Sequence, residues 1–263
     1  MVLIAPAENA LESKPAKRVN ERRIMSTKIS ERNLSALMPL TATVVFVGAV
    51  AVVAAATIQA AVGEHAWLMM IVLALLLAPM GAVNIPGIRA TVTLGDIVTI
   101  SCVVLFGPSA GIIAAVAEGV VTSLTITKSP KKLLYNVATG AISMAAASLA
   151  TQAAFDQFGV PGVQMSVLRM SGAVGLFTLC YFLISTSLIA AYVAFSIGEP
   201  VLRVWRQKFL WTIMSYIASG ASALVAFTLV GRMGYLVFVL VIGVMFTMCL
   251  FYRLYFRKFQ QRV

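Results

Sequence analysis

Long apolar runs dominate the chain and set its predicted architecture. Stretches of roughly 20 apolar residues recur from one end to the other, and each is long enough to cross a bilayer as a helix. The stretches are rich in Ala, Leu and Val and lack the period-two alternation of barrel strands. Because backbone polar groups in lipid must be satisfied internally, the pattern predicts an all-α, polytopic transmembrane helix bundle with about seven or eight spans.

The apolar runs define eight candidate spans: 35–62, 67–83, 94–106, 109–127, 133–155, 170–196, 209–230 and 235–253. The third span is short, because a helix over 94–106 rises only about 20 Å, against about 30 Å of hydrocarbon. We therefore expect it to be re-entrant or to cross a thinned membrane. In the LFGPSAG turn that follows, Gly107 and Pro108 break the helix before the next one begins.

Basic residues fall in four short clusters between the predicted spans. Seven lie in the N-terminal tail, three in 128–132, three in 203–208 and four at the C-terminus. In an eight-span chain all four clusters lie on one side, and the connections on the other side carry only Arg169 and Arg232. The positive-inside rule identifies the basic side as the cytoplasm. The sequence thus predicts a multi-pass inner-membrane protein with both termini in the cytoplasm.

The same pattern divides the chain into three parts. Residues 1–34 form a basic cytoplasmic tail, predicted to be disordered, without the apolar core of a signal peptide. Residues 35–255 form a single transmembrane helical domain, and 256–263 form a cytoplasmic C-terminal tail. The MSTKISERN stretch from Met25 is typical of a natural amino terminus, so translation could begin there.

Composition excludes most soluble-protein functions. The chain is 60% hydrophobic and 11% charged, whereas soluble domains are about a quarter charged. Its net charge of +11 lies in loop clusters, which argues against a nucleic-acid partner. The only histidine is His65, and Cys102, Cys180 and Cys249 lie in apolar runs without metal-ligand spacing. We therefore predict no enzyme activity, no metal and no cofactor.

Two acidic residues fall inside predicted spans, Asp96 and Glu118. An ionisable group at the bilayer centre costs at least about 2.5 kcal/mol, so such a group usually faces protein or a water-filled cavity. Glu118 lies on a stripe of small and polar residues at helical spacing, together with Gly111, Ala115, Thr122 and Thr125. Either the carboxyl contacts a ligand or carries a proton, or it is a buried group bonded to a neighbouring helix.

Two further stripes and one connection complete the candidate features. Small and hydroxyl residues recur through Asn136 and Ser143 in one span and through Thr212 and Ser219 in another, a pattern typical of close helix packing, with cavity lining as the alternative. The connection EPVLRVWRQK is short, basic and tryptophan-bearing, which indicates interfacial anchoring or partner docking.

One stretch resembles a known family. Residues 74–124 contain ALALLLAPM, followed by VNIPGIRATVTLGDIVTISCVVLFGPSAGIIAAVAEGVVTSL. The pattern is similar to the substrate-binding S components of energy-coupling-factor vitamin transporters, which show AxxxA, a loop with Ile-Pro, a short Asp-bearing helix and then LFGP-x-x-G. It also resembles multi-pass sensory membrane domains found ahead of diguanylate cyclase or HD-type modules.

The resemblance implies an S-component-like unit over about 67–230 and roles for several residues. Ala74 and Ala78 would meet a coupling membrane subunit, as the AxxxA helix does in that family. A vitamin-sized ligand would approach the Ile85–Asp96 segment, Glu118 and Asn136. Together with Thr122 on the Glu118 stripe, the predicted ligand contacts are thus Asp96, Glu118, Thr122 and Asn136.

The chain departs from the S-component pattern in two ways. A leading span, 35–62, and a trailing one are added, and the charges place the LFGP turn outside and the Ile85–Thr93 loop in the cytoplasm, opposite to that family. The sequence therefore supports three functions: an S-component-like small-molecule uptake component, a sensory module that signals through a separate membrane or cytoplasmic partner, and a structural subunit of a membrane complex.

Overall fold

The described part of the protein is almost entirely helical. A computed structural model describes residues 37–58, 83–84, 91–92, 95–126, 129–160 and 165–233. Two strands of two residues each, Val83–Asn84 (β1) and Thr91–Val92 (β2), pair antiparallel. The helices are Leu37–Ile58 (α1), Gly95–Phe106 (α2), Pro108–Ile126 (α3), Pro130–Ala154 (α4), Val167–Ile197 (α5), Val201–Lys208 (α6) and, after a 3₁₀ turn at Leu210–Thr212, Ile213–Met233 (α7).

Four of the described helical segments are long and apolar enough to cross a membrane: Leu37–Ile58, Pro130–Ala154, Val167–Ile197 and Leu210–Met233. The predicted helical membrane bundle is confirmed at this level. The predicted spans 67–83 and 235–253, both terminal tails, and Ala74 and Ala78 lie outside the described residues.

Helices α2 and α3 form a tight antiparallel hairpin around Gly107. This residue has φ 91°, and its N–H donates to the Val103 carbonyl at 3.0 Å, which closes α2 before Pro108 opens α3. The two helices cross closely, because a Cβ on Gly111 would overlap the Val103 side chain. The turn at Gly107 and Pro108 that LFGP predicts therefore exists because a left-handed residue precedes a proline.

The remaining helices alternate in direction through the bundle. Asn136 near the start of α4 bonds Ser123 near the end of α3, and Tyr135 bonds the Leu188 carbonyl in the last third of α5. Tyr216, near the start of α7, bonds Ser185 of α5. These pairings bring the start of α4 and the end of α5 to the same end of the bundle. Two of the predicted basic clusters, 128–132 and 203–208, flank that end.

Helix α2 is the central element and does not cross the bundle by itself. Ten of its twelve residues are buried, so it is surrounded by protein on all sides. Its first residue, Gly95, lies against Glu118 in the middle of α3, and its last turn lies near the α4–α5 connection, where Gly159 packs against Pro108. At about 1.5 Å per residue α2 covers roughly 18 Å, from the middle of the bundle to one end. Within the described chain, the predicted third span is thus the half-length helix Gly95–Phe106.

Helix α1 is an outer layer attached to α4. Gly48 lies where a Cβ would be 2.7 Å from Ala138 Cα, and Val44 packs with Tyr135 and Ala138. Its other side is open, with Phe46 70% exposed. An apolar helix with one packed stripe and an exposed apolar face is suited to a lipid environment, because lipid removes the cost of that exposure.

Candidate functional site

The candidate site lies where the first turn of α2 meets the middle of α3, the middle of α5 and the start of α7. Helix α2 contributes Gly95 and Asp96, and α3 contributes Glu118; Asp96 and Glu118 are 2% and 3% exposed. Both carboxyls lie within electrostatic range of the Tyr181 and Tyr216 hydroxyls. Two of the four residues predicted as ligand contacts therefore come together, because Asp96 and Glu118 lie opposite one another on the antiparallel α2–α3 hairpin.

Gly95 allows the Glu118 carboxyl to approach the first turn of α2. A Cβ at this position would occupy the space taken by the Glu118 carboxyl group, so only glycine lets that group lie against the first turn of α2. The amino-terminal end of a helix carries a partial positive charge from its unpaired N–H groups, which stabilises nearby carboxylates. The Gly-Asp pair at 95–96 thus brings two acidic groups to one helix end inside the bundle.

Tyrosines from α5 and α7 complete the cluster. The Tyr181 hydroxyl donates to Asp96 Oδ1 at 3.1 Å, and the Tyr216 hydroxyl donates to Ser185 Oγ at 3.3 Å. The two tyrosine rings lie 5.4 Å apart between centroids. Asp96, Tyr181, Tyr216 and Ser185 therefore form a polar layer that crosses from α2 through α5 to α7.

A small enclosed cavity adjoins this layer. Its volume is about 10 Å³, which is room for one water molecule and far below the several hundred Å³ of a small-molecule site. Its lining combines polar and small residues: Ala115, Glu118, Asn136, Thr139, Gly140, Tyr181, Ser185 and Ile189. The described conformation is thus closed around a space with room for one water molecule.

The two buried carboxyls lie inside a bundle whose described basic residues lie at its ends. Every described Lys or Arg is exposed or half-buried and lies at or beyond a helix end, including Lys131, Lys132, Arg203 and Arg206. Among the residues that the structure describes, the one ion pair joins Arg169 to Asp156 at 3.8 Å, at the surface. Asp96 and Glu118 are therefore the charged groups of the bundle interior in the described chain.

The other predicted residues lie near the cluster. Asn136 lines the cavity, and its Nδ2 donates to Ser123 Oγ at 3.4 Å. Thr122 is fully buried one turn beyond Glu118 and does not line the cavity. The predicted stripe on α3 faces inward, since Gly111, Ala115, Glu118 and Thr122 are all buried. Ile112, which lies outside that stripe, is buried too, because α2 and α4 enclose α3 from two sides.

Sequence reasoning did not identify the tyrosines. Tyr181 and Tyr216 lie inside long apolar runs, where a phenolic hydroxyl must find a partner because lipid offers none. That requirement was a usable signal. The sequence could not identify the hydrogen-bond partners, because Tyr181 and Asp96 are 85 positions apart and come into contact only when the helices pack together.

The serines and threonines on the 212–222 stripe bond within their own helix. Ser219 donates to the Ser215 carbonyl and Ser222 to the Ala218 carbonyl, each about one turn away. The close approach on α7 comes instead from Gly220, where a Cβ would overlap the Thr178 hydroxyl of α5. The close helix packing predicted for this region is therefore found at Gly220, beside the stripe.

Among the described residues, no group of three His, Cys, Asp or Glu side chains could hold a metal ion. Comparison of the chain with protein-family models, with curated proteins and with solved structures gives no match.

Proposed function

We propose that this protein is a membrane-embedded small-molecule-binding protein that acts as an uptake component of the S-component type. The observation that carries the proposal is the buried cluster of two carboxyls and two tyrosines at the start of α2. Placing ionisable groups inside a membrane bundle is costly, and proteins usually retain them for ligand or proton handling. The similarity of residues 74–124 to the S-component pattern supports the same function.

The chemistry of the cluster restricts the solute. Carboxylates accept hydrogen bonds and attract positive charge, and tyrosine and serine hydroxyls both donate and accept. A solute with an ammonium group or several N–H or O–H donors fits Asp96 and Glu118. An anionic solute would be repelled.

Solute entry requires the cluster to open, because the cavity holds only one water. Helix α2 is suited to this movement, since it is half-length and is joined to α3 through the left-handed Gly107. A pivot of α2 about Gly107 separates Asp96 from Tyr181 and opens a path beside Glu118 and Tyr181 into the cavity between α3, α4 and α5. The bundle end that carries Lys131 and Arg206 faces the cytoplasm in this proposal, in accordance with the positive-inside rule.

Ligand binding by charge-neutral variants tests the proposal. We expect the purified protein in mild detergent to retain a vitamin-sized molecule in native mass spectrometry, or to show a thermal shift with a panel of cationic and donor-rich solutes. Asp96→Asn and Glu118→Gln should each weaken that binding at least about tenfold, the effect of one charge-assisted hydrogen bond. Asp156→Asn and Glu199→Gln make the same changes at exposed positions and should bind normally. Absence of any ligand, or equal losses in all four variants, would overturn the proposal.

A sensory module is the second candidate, and α1 is the observation that favours it. This helix lies outside the S-component-like unit and is closely attached to α4 through Gly48. A sensor needs such an added element to pass a ligand-driven movement to a partner. Uptake of a bound solute into proteoliposomes supplied with an energised coupling partner supports transport, whereas binding without uptake supports sensing.

A further inference from the structure

Helix α6 is a short basic helix fixed firmly against the end of α5. The chain leaves α5 through Gly198, which has φ 74°, and Pro200 then begins α6. On the inner side Val204 is fully buried, and the Trp205 indole N–H donates to Thr186 Oγ1 at 2.9 Å. The orientation of α6 is therefore set by packing, so the residues on its other side hold fixed positions.

The outer side of α6 lines an open concavity with a volume of about 670 Å³. Its residues are a proline, two leucines, two arginines and a glutamine: Pro200, Leu202, Arg203, Arg206, Gln207 and Leu210. Arg203 and Arg206 are three residues apart on one helix face, so their guanidinium groups are neighbours. Among the described residues no carboxylate lies within 4.0 Å of either guanidinium. The concavity thus joins two uncompensated cations to exposed apolar side chains.

An apolar groove begins one helical turn away. It lies between α5 and α7, has a volume of about 300 Å³ and is almost wholly apolar, with Gly175 and Gly220 making room. Leu210 of the α6 concavity is followed along the chain by Ile213 and Ile217, which line the groove. Leu210 and Ile217 are themselves 45% and 54% exposed. Cationic and apolar surfaces therefore follow one another from the bundle end toward its middle.

The depth of α6 fits a membrane interface. It packs beside Thr186 to Ala194 in the last third of α5, the same end at which α4 begins with Lys131 and Lys132. Amphipathic helices with basic residues and tryptophan lie at the headgroup level of bilayers. The two arginines are thus at phosphate depth, and the groove is at acyl-chain depth.

We propose that Arg203 and Arg206 bind the phosphate of an anionic phospholipid, with one acyl chain in the α5–α7 groove. Two adjacent guanidinium groups match the oxygens of a phosphodiester, and a net negative headgroup balances the charge of α6. The apolar groove selects a lipid over free phosphate, because phosphate leaves Leu210 and Ile217 uncovered. This inference is independent of the proposed solute site, since it uses neither carboxyl.

Lipid binding by matched arginine and lysine variants tests the proposal. The full chain is purified in detergent, and retention of phosphatidylglycerol, phosphatidylcholine and inorganic phosphate is compared by native mass spectrometry. We expect phosphatidylglycerol to be retained selectively, and Arg203→Gln with Arg206→Gln to weaken it about thirtyfold, since each basic residue near anionic lipid contributes about fivefold. Lys131→Gln with Lys132→Gln removes the same charge at the same bundle end and should change retention less than threefold.

A second pair of variants tests the acyl-chain groove. A Cβ on Gly175 has no atom within 4 Å, so Gly175→Leu fills the groove without a backbone clash. It should weaken phosphatidylglycerol binding while leaving a short-chain headgroup analogue unaffected. Gly231→Leu, also without a neighbour within 4 Å, is the control and should bind normally.

Several results would overturn the proposal. Equal losses in the arginine and lysine pairs would show general electrostatic attraction, and equal retention of the two lipids would remove headgroup selectivity. Binding of inorganic phosphate as tight as that of the lipid would show an anion site without a lipid. Crosslinking from position 217 to residues 234–263 or to a second copy of the chain, at full yield in lipid, would show that protein covers the groove.

Discussion

The hydrogen bond between Tyr181 and Asp96 allows the clearest measurement of how the cluster is held together. Tyr181→Phe removes only the hydroxyl, and the ring keeps its neighbours Phe177 and Tyr216, at 6.1 and 5.4 Å between centroids. Hydrogen bonds to charged groups contribute about 1.5–3 kcal/mol in soluble proteins, and bonds between membrane helices contribute about 0.6 on average and about 1.7 at most. Because Asp96 is 2% exposed and the adjoining cavity admits a single water, we expect a loss near the upper membrane value, about 1.5 kcal/mol.

The assay is the free energy of unfolding in mixed micelles, with Tyr192→Phe as the control. The Tyr192 ring contacts that of Tyr135 at a tilt of 40°, with 4.6 Å between centroids. Its hydroxyl makes no hydrogen bond to any residue the structure describes, so loss of the hydroxyl should cost under about 0.5 kcal/mol. A double-mutant cycle of Tyr181→Phe with Asp96→Asn should give a coupling of at least about 0.5 kcal/mol. Equal effects of the two tyrosine variants, or strictly additive losses in the cycle, would refute a direct bond between Tyr181 and Asp96.

Two further predictions concern packing and orientation. Gly48→Ala should destabilise the protein by about 1–3 kcal/mol in the same unfolding assay, because the new methyl group meets the backbone of Ala138. Gly231→Ala, the control, should raise the free energy of unfolding by up to about 1 kcal/mol. Similar values for both variants would contradict the α1–α4 contact. A cysteine introduced by Pro130→Cys should react with an impermeant maleimide only after the membrane is opened, whereas Asp156→Cys should react in intact cells. Labelling of position 130 from outside would show that the orientation is opposite to the predicted one.

Several residues of the candidate site and its hairpin could be predicted from the sequence, because the free-energy cost that marks them depends only on local sequence. Asp96 and Glu118 stand out in any apolar span, since ionised groups are expensive in lipid whatever surrounds them. The hairpin at Gly107 and Pro108 is equally local, because a proline cannot continue the preceding helix. Tyr181 and Ser185 could not be assigned to the same site, since their positions in the cluster depend on which helices adjoin.

The role of α2 depended most on the tertiary structure. From its length alone, 94–106 is either a span of a thinned membrane or a re-entrant segment. The spacing of its apolar residues does not identify a buried face of the helix, because ten of the twelve residues of α2 are buried. Its central position follows from contacts on every side, which local sequence does not encode. Gly95 likewise has no special backbone requirement readable in sequence, and its significance comes from the Glu118 carboxyl that fills the space of its missing side chain.

The sequence by itself determined that this chain is suited to a lipid bilayer and that its secondary structure is helical. Apolar runs of spanning length leave the backbone no alternative to helices, and that requirement acts residue by residue. Only the tertiary structure decided that α2 is a buried half-length helix whose first turn brings Asp96 and Glu118 together beneath Tyr181. Helix packing in lipid depends on close steric fit and a few polar contacts, and these are properties of pairs of helices.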